Sequence, residues 1–115
     1  MGIDKSMVQG SMGMLVLRLL DEKDMYGYEI TDTLKSRSNH AFDLKAGSLY
    51  PLLHTLEGKK FVTSYEDDSS GKVRKYYSIT AAGRKQLTEK KAEWQEYSQA
   101  VTNVLSFAGG ATYDL

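Results

Sequence analysis

Between Val8 and Asp21 the chain is almost continuously apolar, interrupted chiefly by Gln9, Ser11 and Arg18. Val8, Met12, Leu15 and Leu19 form one stripe at helical spacing, and Leu17 and Leu20 widen it. A helix that is apolar on more than one face has to be buried on more than one face, against its own domain on one side and something else on the other. With 115 residues the chain can build one core. A chain of this size buries only about two thirds of the surface that its unfolded form exposes, so a second copy completing the core is expected. Gly10 and Gly13, one turn apart, lower helix propensity but permit close helix approach.

Composition removes several classes of function. There is no cysteine, which excludes disulfides, thiolate zinc sites and cysteine nucleophiles and suits a reducing compartment. The two histidines, His40 and His54, are not spaced as a ligand pair, so no metal site is expected. No apolar run reaches the roughly 18 residues of a membrane span, and the first residues lack the basic-then-apolar order of a signal peptide. No glycine-rich phosphate loop follows a strand and no carboxylate pair is forced together by helical spacing, so neither catalysis nor a cofactor is expected.

The charges balance in number, 15 basic against 15 acidic, but not in position. Residues 58–91 hold nine basic and four acidic side chains, a local net of +5, flanked by segments of −2 and −3. A basic middle within a neutral chain is the pattern of a protein with one anionic partner; clustering on solvated faces is the competing explanation.

Helical and strand periodicities divide the rest of the chain. Tyr26 to about Arg37 reads as a second helix with Tyr26, Ile30, Thr33 and Leu34 on one face, ended by Ser38, Asn39 and His40. A third helix opens near Gly47 or Ser48. Pro51 is tolerated in its first turn, and Leu49, Leu52, Leu53 and Leu56 at i, i+3, i+4 and i+7 form its inner face. Phe61–Tyr65 and Val73–Ile79 are β-branched and aromatic around a turn cluster, Asp67–Gly71, and read as a β-hairpin. Alternation puts Val73, Tyr77 and Ile79 on one side of the second strand and Arg74, Tyr76 and Ser78 on the other, with Lys75 adding to a cationic, aromatic strand end. Thr80 caps a last helix in which Gly83 marks either close packing or a slack start. That helix carries Leu87, Trp94, Val101 and Ala108 at seven-residue spacing, joined by Tyr97 and Val104, which makes a coiled-coil seam. The fold class is therefore mainly α with a β-hairpin: a winged helix-turn-helix over residues 1–80, a dimerisation helix over 81–108 and a flexible tail over 109–115.

Four motifs in this order and spacing resemble the PadR-type bacterial transcriptional regulators over roughly residues 7–94. They are Tyr26-Gly27-Tyr28-Glu29-Ile30, Gly47-Ser48-Leu49-Tyr50-Pro51-Leu52-Leu53, Leu56-Glu57, and Arg74-Lys75-Tyr76-Tyr77-Ser78-Ile79-Thr80 followed by Gly83. The single C-terminal helix with Trp94 is similar to the smaller subfamily, whose members sense hydrophobic or aromatic compounds. The resemblance implies a cytoplasmic, homodimeric repressor that releases its double-stranded DNA operator when a small molecule binds at the dimer centre. Two departures stand out. The family usually has a glycine just before the first wing strand, where this chain has Lys60, with Gly58 two residues earlier. The wing tip is acidic, with Glu66, Asp67 and Asp68, which disfavours deep insertion into a groove of DNA.

Candidate sites follow from the helical faces. With the leucines of the third helix inward, Ser48, Tyr50, Pro51, His54 and Thr55 turn outward. A recognition helix reads base edges from its first turns while nearby cations hold phosphates, so the DNA-contacting set is Lys45, Ser48, Tyr50, His54, Lys72, Arg74 and Lys75. The structural alternatives are that Tyr50 packs over Pro51, that His54 is merely solvated, and that the strand cations protect a sheet edge. A seam residue near a two-fold axis approaches its own mate, so Trp94 with Tyr97 and the soft Met7, Met12 and Met14 could wall an effector site. The alternative is a packed core tryptophan. The dimer interface is read as Val8, Leu15, Leu87, Trp94, Val101 and Val104. A winged helix serving only as a protein interaction module, without DNA contact, is the alternative function.

Overall fold

The structure, a computed structural model, describes the backbone of residues 5–106 and the side chains of residues 10–106. The expectations placed on the side chains of Met7 and Val8, on Ala108 and on the 109–115 tail lie outside these described residues. The elements in chain order are α1 (Lys5–Glu22), β1 (Met25–Tyr26), α2 (Gly27–Arg37), α3 (Ala46–Gly58), β2 (Val62–Asp67), β3 (Arg74–Ile79) and α4 (Ala81–Leu105).

The fold is the expected mainly helical one, three helices, a wing and a long last helix, with one addition. The wing is a three-stranded antiparallel sheet in the order β1-β3-β2, because Met25 and Tyr26 pair with Tyr77 and Tyr76. Tyr26 thus belongs to a strand, and α2 begins one residue later, at Gly27. Two residues of strand carry too little periodicity to be seen in sequence. Val73, expected inside the sheet, precedes β3 and is 62% exposed, whereas Tyr77 and Ile79 of the same face are buried. β2 runs on to Asp67, so Glu66 and Asp67 are strand residues opposite Lys75 and Arg74.

The core is built from one face of each helix. Val16, Leu17 and Leu20 of α1 meet Ile30 and Leu34 of α2 and Leu49, Leu53 and Leu56 of α3, and Val62, Tyr77 and Ile79 close it from the sheet. Each fully buried leucine or isoleucine contributes about 1.5–3 kcal/mol by leaving water. Leu52 is only partly buried, so three of the four leucines expected inward on α3 are fully so. No charged side chain is buried among the described residues.

The joints between elements are polar and local. At the end of α3 the N–H of Phe61 donates to the Leu56 carbonyl and that of Lys60 to the Glu57 carbonyl, both at 3.0 Å. This is the paired C-terminal motif that requires a left-handed residue, and Lys60 supplies it at φ +66°. At the start of α4 the Thr80 hydroxyl accepts from the Gly83 N–H at 3.0 Å and donates to the Lys60 carbonyl at 2.7 Å. A Cβ at Gly83 would overlap the Phe61 carbonyl oxygen, which decides for close packing over a slack start. Arg37 of α2 grips Glu22 of α1 through two bonds of 2.5 and 2.6 Å, and Arg84 of α4 reaches Asp21 at 3.0 Å. The hydrogen bond from Arg37 holds the Glu22 carboxyl down at about 2.

Candidate nucleic-acid interface

α3 presents the face that its leucines leave outward. Ser48, Tyr50, Pro51, His54 and Thr55 are all exposed, as the spacing predicts. Tyr50 is 49% exposed, and its ring lies across the start of α2 rather than simply over Pro51: a Cβ at Gly27 would overlap its hydroxyl. The glycine at position 27 therefore leaves room for the tyrosine of α3, and Tyr50 bridges two helices while keeping half its surface in water. Lys45 is the N-cap residue of α3 and is exposed, but it is not free, since its ammonium pairs with Asp43 at 3.1 Å. That bond lowers the Asp43 carboxyl below its usual range.

The wing carries the other cations. Lys72 lies in the exposed turn and Arg74 and Lys75 open β3. Among the described residues none of the three is in an ion pair, although Asp67 and Glu66 stand directly across the ladder from Arg74 and Lys75. Alternation sends the two strand cations to opposite faces, so they are not one patch. Lys75 lies over the Tyr77 ring at 5.6 Å, and Arg74 over the Tyr26 ring at 4.4 Å. Tyr26 in turn meets Tyr76 edge-on at 5.4 Å, Tyr76 stacks on Tyr65 at 5.8 Å, and the Tyr65 hydroxyl donates to Asp24 at 2.6 Å. That last bond pushes the phenol up to about 12.

This combination of an outward α3 face and an adjoining cationic wing is what a DNA-reading winged helix presents. Known proteins agree. The model of the transcriptional regulator PadR-like family matches residues 16–89. The chain belongs to the PadR-like family of transcriptional regulators. It is 30% identical over 95 residues to a transcriptional regulator of Mycobacterium tuberculosis, covering 83% of this chain and 86% of that one. Among solved structures it is similar to a PadR-like transcriptional regulator from Bacillus cereus, at TM-score 0.81 and 31% identity over 90% of this chain and all (100%) of that one. A transcriptional regulator from Clostridium thermocellum superposes at TM-score 0.81 with 29% identity, covering 86% and 97% of the two chains. PadR-like membership places the protein among regulators of transcription rather than enzymes, and no described helix is long and apolar enough to cross a membrane.

A second feature lies between α1 and α4. Gly10, Ser11, Met14, Lys90, Glu93, Trp94 and Tyr97 line a cleft of about 290 Å³. Trp94 and Tyr97, one turn apart, sit with ring centroids 6.3 Å apart and are 49% and 64% exposed. Val101 and Val104 continue the exposed stripe along α4. Two expectations need correction. Met12, placed at the effector site, is 4% exposed in the chain's own core, whereas Met14, named beside it, lines the cleft. Leu87, placed on the partner seam, is also 4% exposed within the chain's own core, where α4 packs against α1. Leu15 is partly buried against that core. Sequence reasoning missed Tyr26 as a support for Arg74 and Gly27 as a seat for Tyr50. The cue was the Tyr26-Gly27-Tyr28 cluster, but assigning Tyr26 to a helix face hid its place on the sheet.

Proposed function

We propose that this PadR-like chain is a homodimeric repressor of a two-fold symmetric operator, released by a planar aromatic or hydrophobic compound bound beside Trp94. The observation that carries the DNA reading is the set of wing cations, Lys72, Arg74 and Lys75, without carboxylate partners beside the exposed Ser48, Tyr50 and His54 of α3. The cations hold phosphates and the α3 side chains reach base edges. Lys45 joins them by exchanging Asp43 for a phosphate.

The dimer reading rests on α4. Trp94, Tyr97, Val101, Val104 and Leu105 are exposed apolar side chains along one helix, more than a lone surface helix leaves in water. The effector reading rests on the cleft, whose aromatic and methionine walls accept flat ligands by dispersion and adaptable packing. A ligand lowers operator affinity only if it favours a dimer whose two recognition helices are spaced wrongly for the DNA.

The test is fluorescence anisotropy of the full chain on labelled duplexes across a salt series. Arg74→Ala and Lys75→Ala should each weaken binding to every sequence and lower the salt slope by about one. Absence of any DNA binding at low salt would leave the protein interaction module as the reading. For the effector, planar aromatic compounds should quench Trp94, the one tryptophan in the chain, and Trp94→Ala should bind them at least about tenfold more weakly. A panel that neither quenches Trp94 nor releases DNA would make the indole a packing residue.

A further inference from the structure

Arg74 faces two possible partners. Asp67 stands opposite it on β2, the usual arrangement for a cross-strand ion pair. The guanidinium lies instead over Tyr26, 4.4 Å from the ring centroid, and is in no ion pair with a described residue. Tyr26 is itself braced by its neighbours. Its ring is braced edge-on by Tyr76, Tyr76 is stacked by Tyr65, and Tyr65 is tied through its hydroxyl to Asp24. The Tyr26 backbone N–H donates to Glu29 at 3.4 Å, and Glu29 is held by Lys23 at 3.0 Å. One tyrosine from each strand of the sheet thus forms a fixed aromatic platform, with the arginine laid on its end.

We infer that Tyr26 is a positioning residue for Arg74: it holds the guanidinium away from Asp67 with its N–H donors free for a phosphate of bound DNA. A guanidinium stacked on a ring keeps its in-plane donors available, whereas one paired with a carboxylate spends two of them. It also loses less side-chain freedom when the phosphate arrives. The inference rests on the DNA reading above, so the experiment separates the two.

Anisotropy measures DNA affinity and salt slope for wild type, Arg74→Ala, Tyr26→Phe, Tyr26→Leu and the double variant Tyr26→Leu with Arg74→Ala. Tyr26→Phe keeps the ring and should bind like wild type. Tyr26→Leu should weaken binding two- to fivefold, the range of an exposed cation–π contact, and should have no further effect once Arg74 is alanine. An equal loss in both backgrounds would overturn the inference, because Tyr26 would then act independently of Arg74. If Arg74→Ala itself leaves affinity and salt slope unchanged, the DNA role of the wing fails, yet the contact can still be judged. The Arg74 Nε–H resonance should lie upfield in wild type and Tyr26→Phe, and move to its ordinary position in Tyr26→Leu. An Arg74 signal at its ordinary position in folded wild type would overturn the inference whatever the DNA data show. Should Tyr26→Leu fail to fold, the wild-type and Tyr26→Phe resonances decide alone.

Discussion

Replacing Lys60 by glycine should stabilise the protein, a reversal of the usual effect of putting glycine into a folded chain. Lys60 sits at φ +66° immediately after α3, where both its own N–H and that of Phe61 turn back to carbonyls of the last helical turn. A side chain in the left-handed region costs about 1–2 kcal/mol through the clash of Cβ with the neighbouring carbonyl. Glycine removes that cost but adds about 0.4–1 kcal/mol of unfolded-chain entropy. Lys60 is exposed, so its side chain contributes little packing to lose. The balance is a gain of about 0.5–1 kcal/mol, or roughly 2–8 °C in Tm for a domain near this size. Thermal unfolding followed by helix circular dichroism, at one fixed protein concentration because association shifts Tm, reads it directly. Lys60→Ala is the control, since alanine keeps the Cβ and should show none of the gain. Equal stabilisation by both variants would trace the effect to lost charge, and no gain from glycine would refute the strain argument.

Gly83→Ala should go the other way. Helix propensity alone favours alanine by about 1 kcal/mol, yet the new Cβ would meet the Phe61 carbonyl and come within 2.8 Å of Ile79 Cγ1. A net loss of about 2–3 kcal/mol in urea unfolding is expected for such overpacking. Glu22 makes stability depend on pH: its folded value of about 2 lies below the ordinary 4.5, so its contribution is full above 4.5 and is lost as pH falls towards 2. The urea midpoint should drop over that interval, less steeply in Glu22→Gln, and equal slopes would remove the Arg37 pair from the account. Tyr50→Phe should cost about 1 kcal/mol of DNA affinity if the hydroxyl meets a phosphate. Gly27→Ala, which displaces that hydroxyl but clashes only with the tip of a side chain, should match or exceed the loss with little change in Tm.

Strong periodicity made much of this architecture legible in sequence. The i, i+3, i+4, i+7 leucines of α3 set its inner face, so the exposure of Ser48, Tyr50 and His54 followed from spacing alone. The Thr80 cap was likewise carried by local chemistry, whereas the choice between close packing and a slack start at Gly83 was decided by the Phe61 carbonyl, distant in sequence. What escaped depended on contacts between distant segments. β1 exists only because β3 offers it a ladder, and that pairing, 52 residues apart at Met25 and Tyr77 by their numbering, leaves no local trace. Heptad spacing assigned Leu87 and Trp94 to one seam, but Leu87 is buried in the core while Trp94, on the cleft between α1 and α4, is half exposed, so one pattern spans two environments. Similarly, Met12 and Met14 are equivalent as residue types. The rotation of α1 alone sends one into the core and the other to the cleft.

The most direct test of the account is selection of full-length protein on a pool of random duplexes, followed by sequencing of the bound fraction. A homodimer reading DNA through α3 and the wing should enrich an inverted repeat with half-sites about one helical turn apart or a small multiple of it. Arg74→Ala should recover the same repeat at lower yield, because phosphate contacts position the protein without specifying sequence. Enrichment of a single unsymmetrical site, or of nothing at low salt, would contradict the claim that two copies of this chain place α3 in successive grooves.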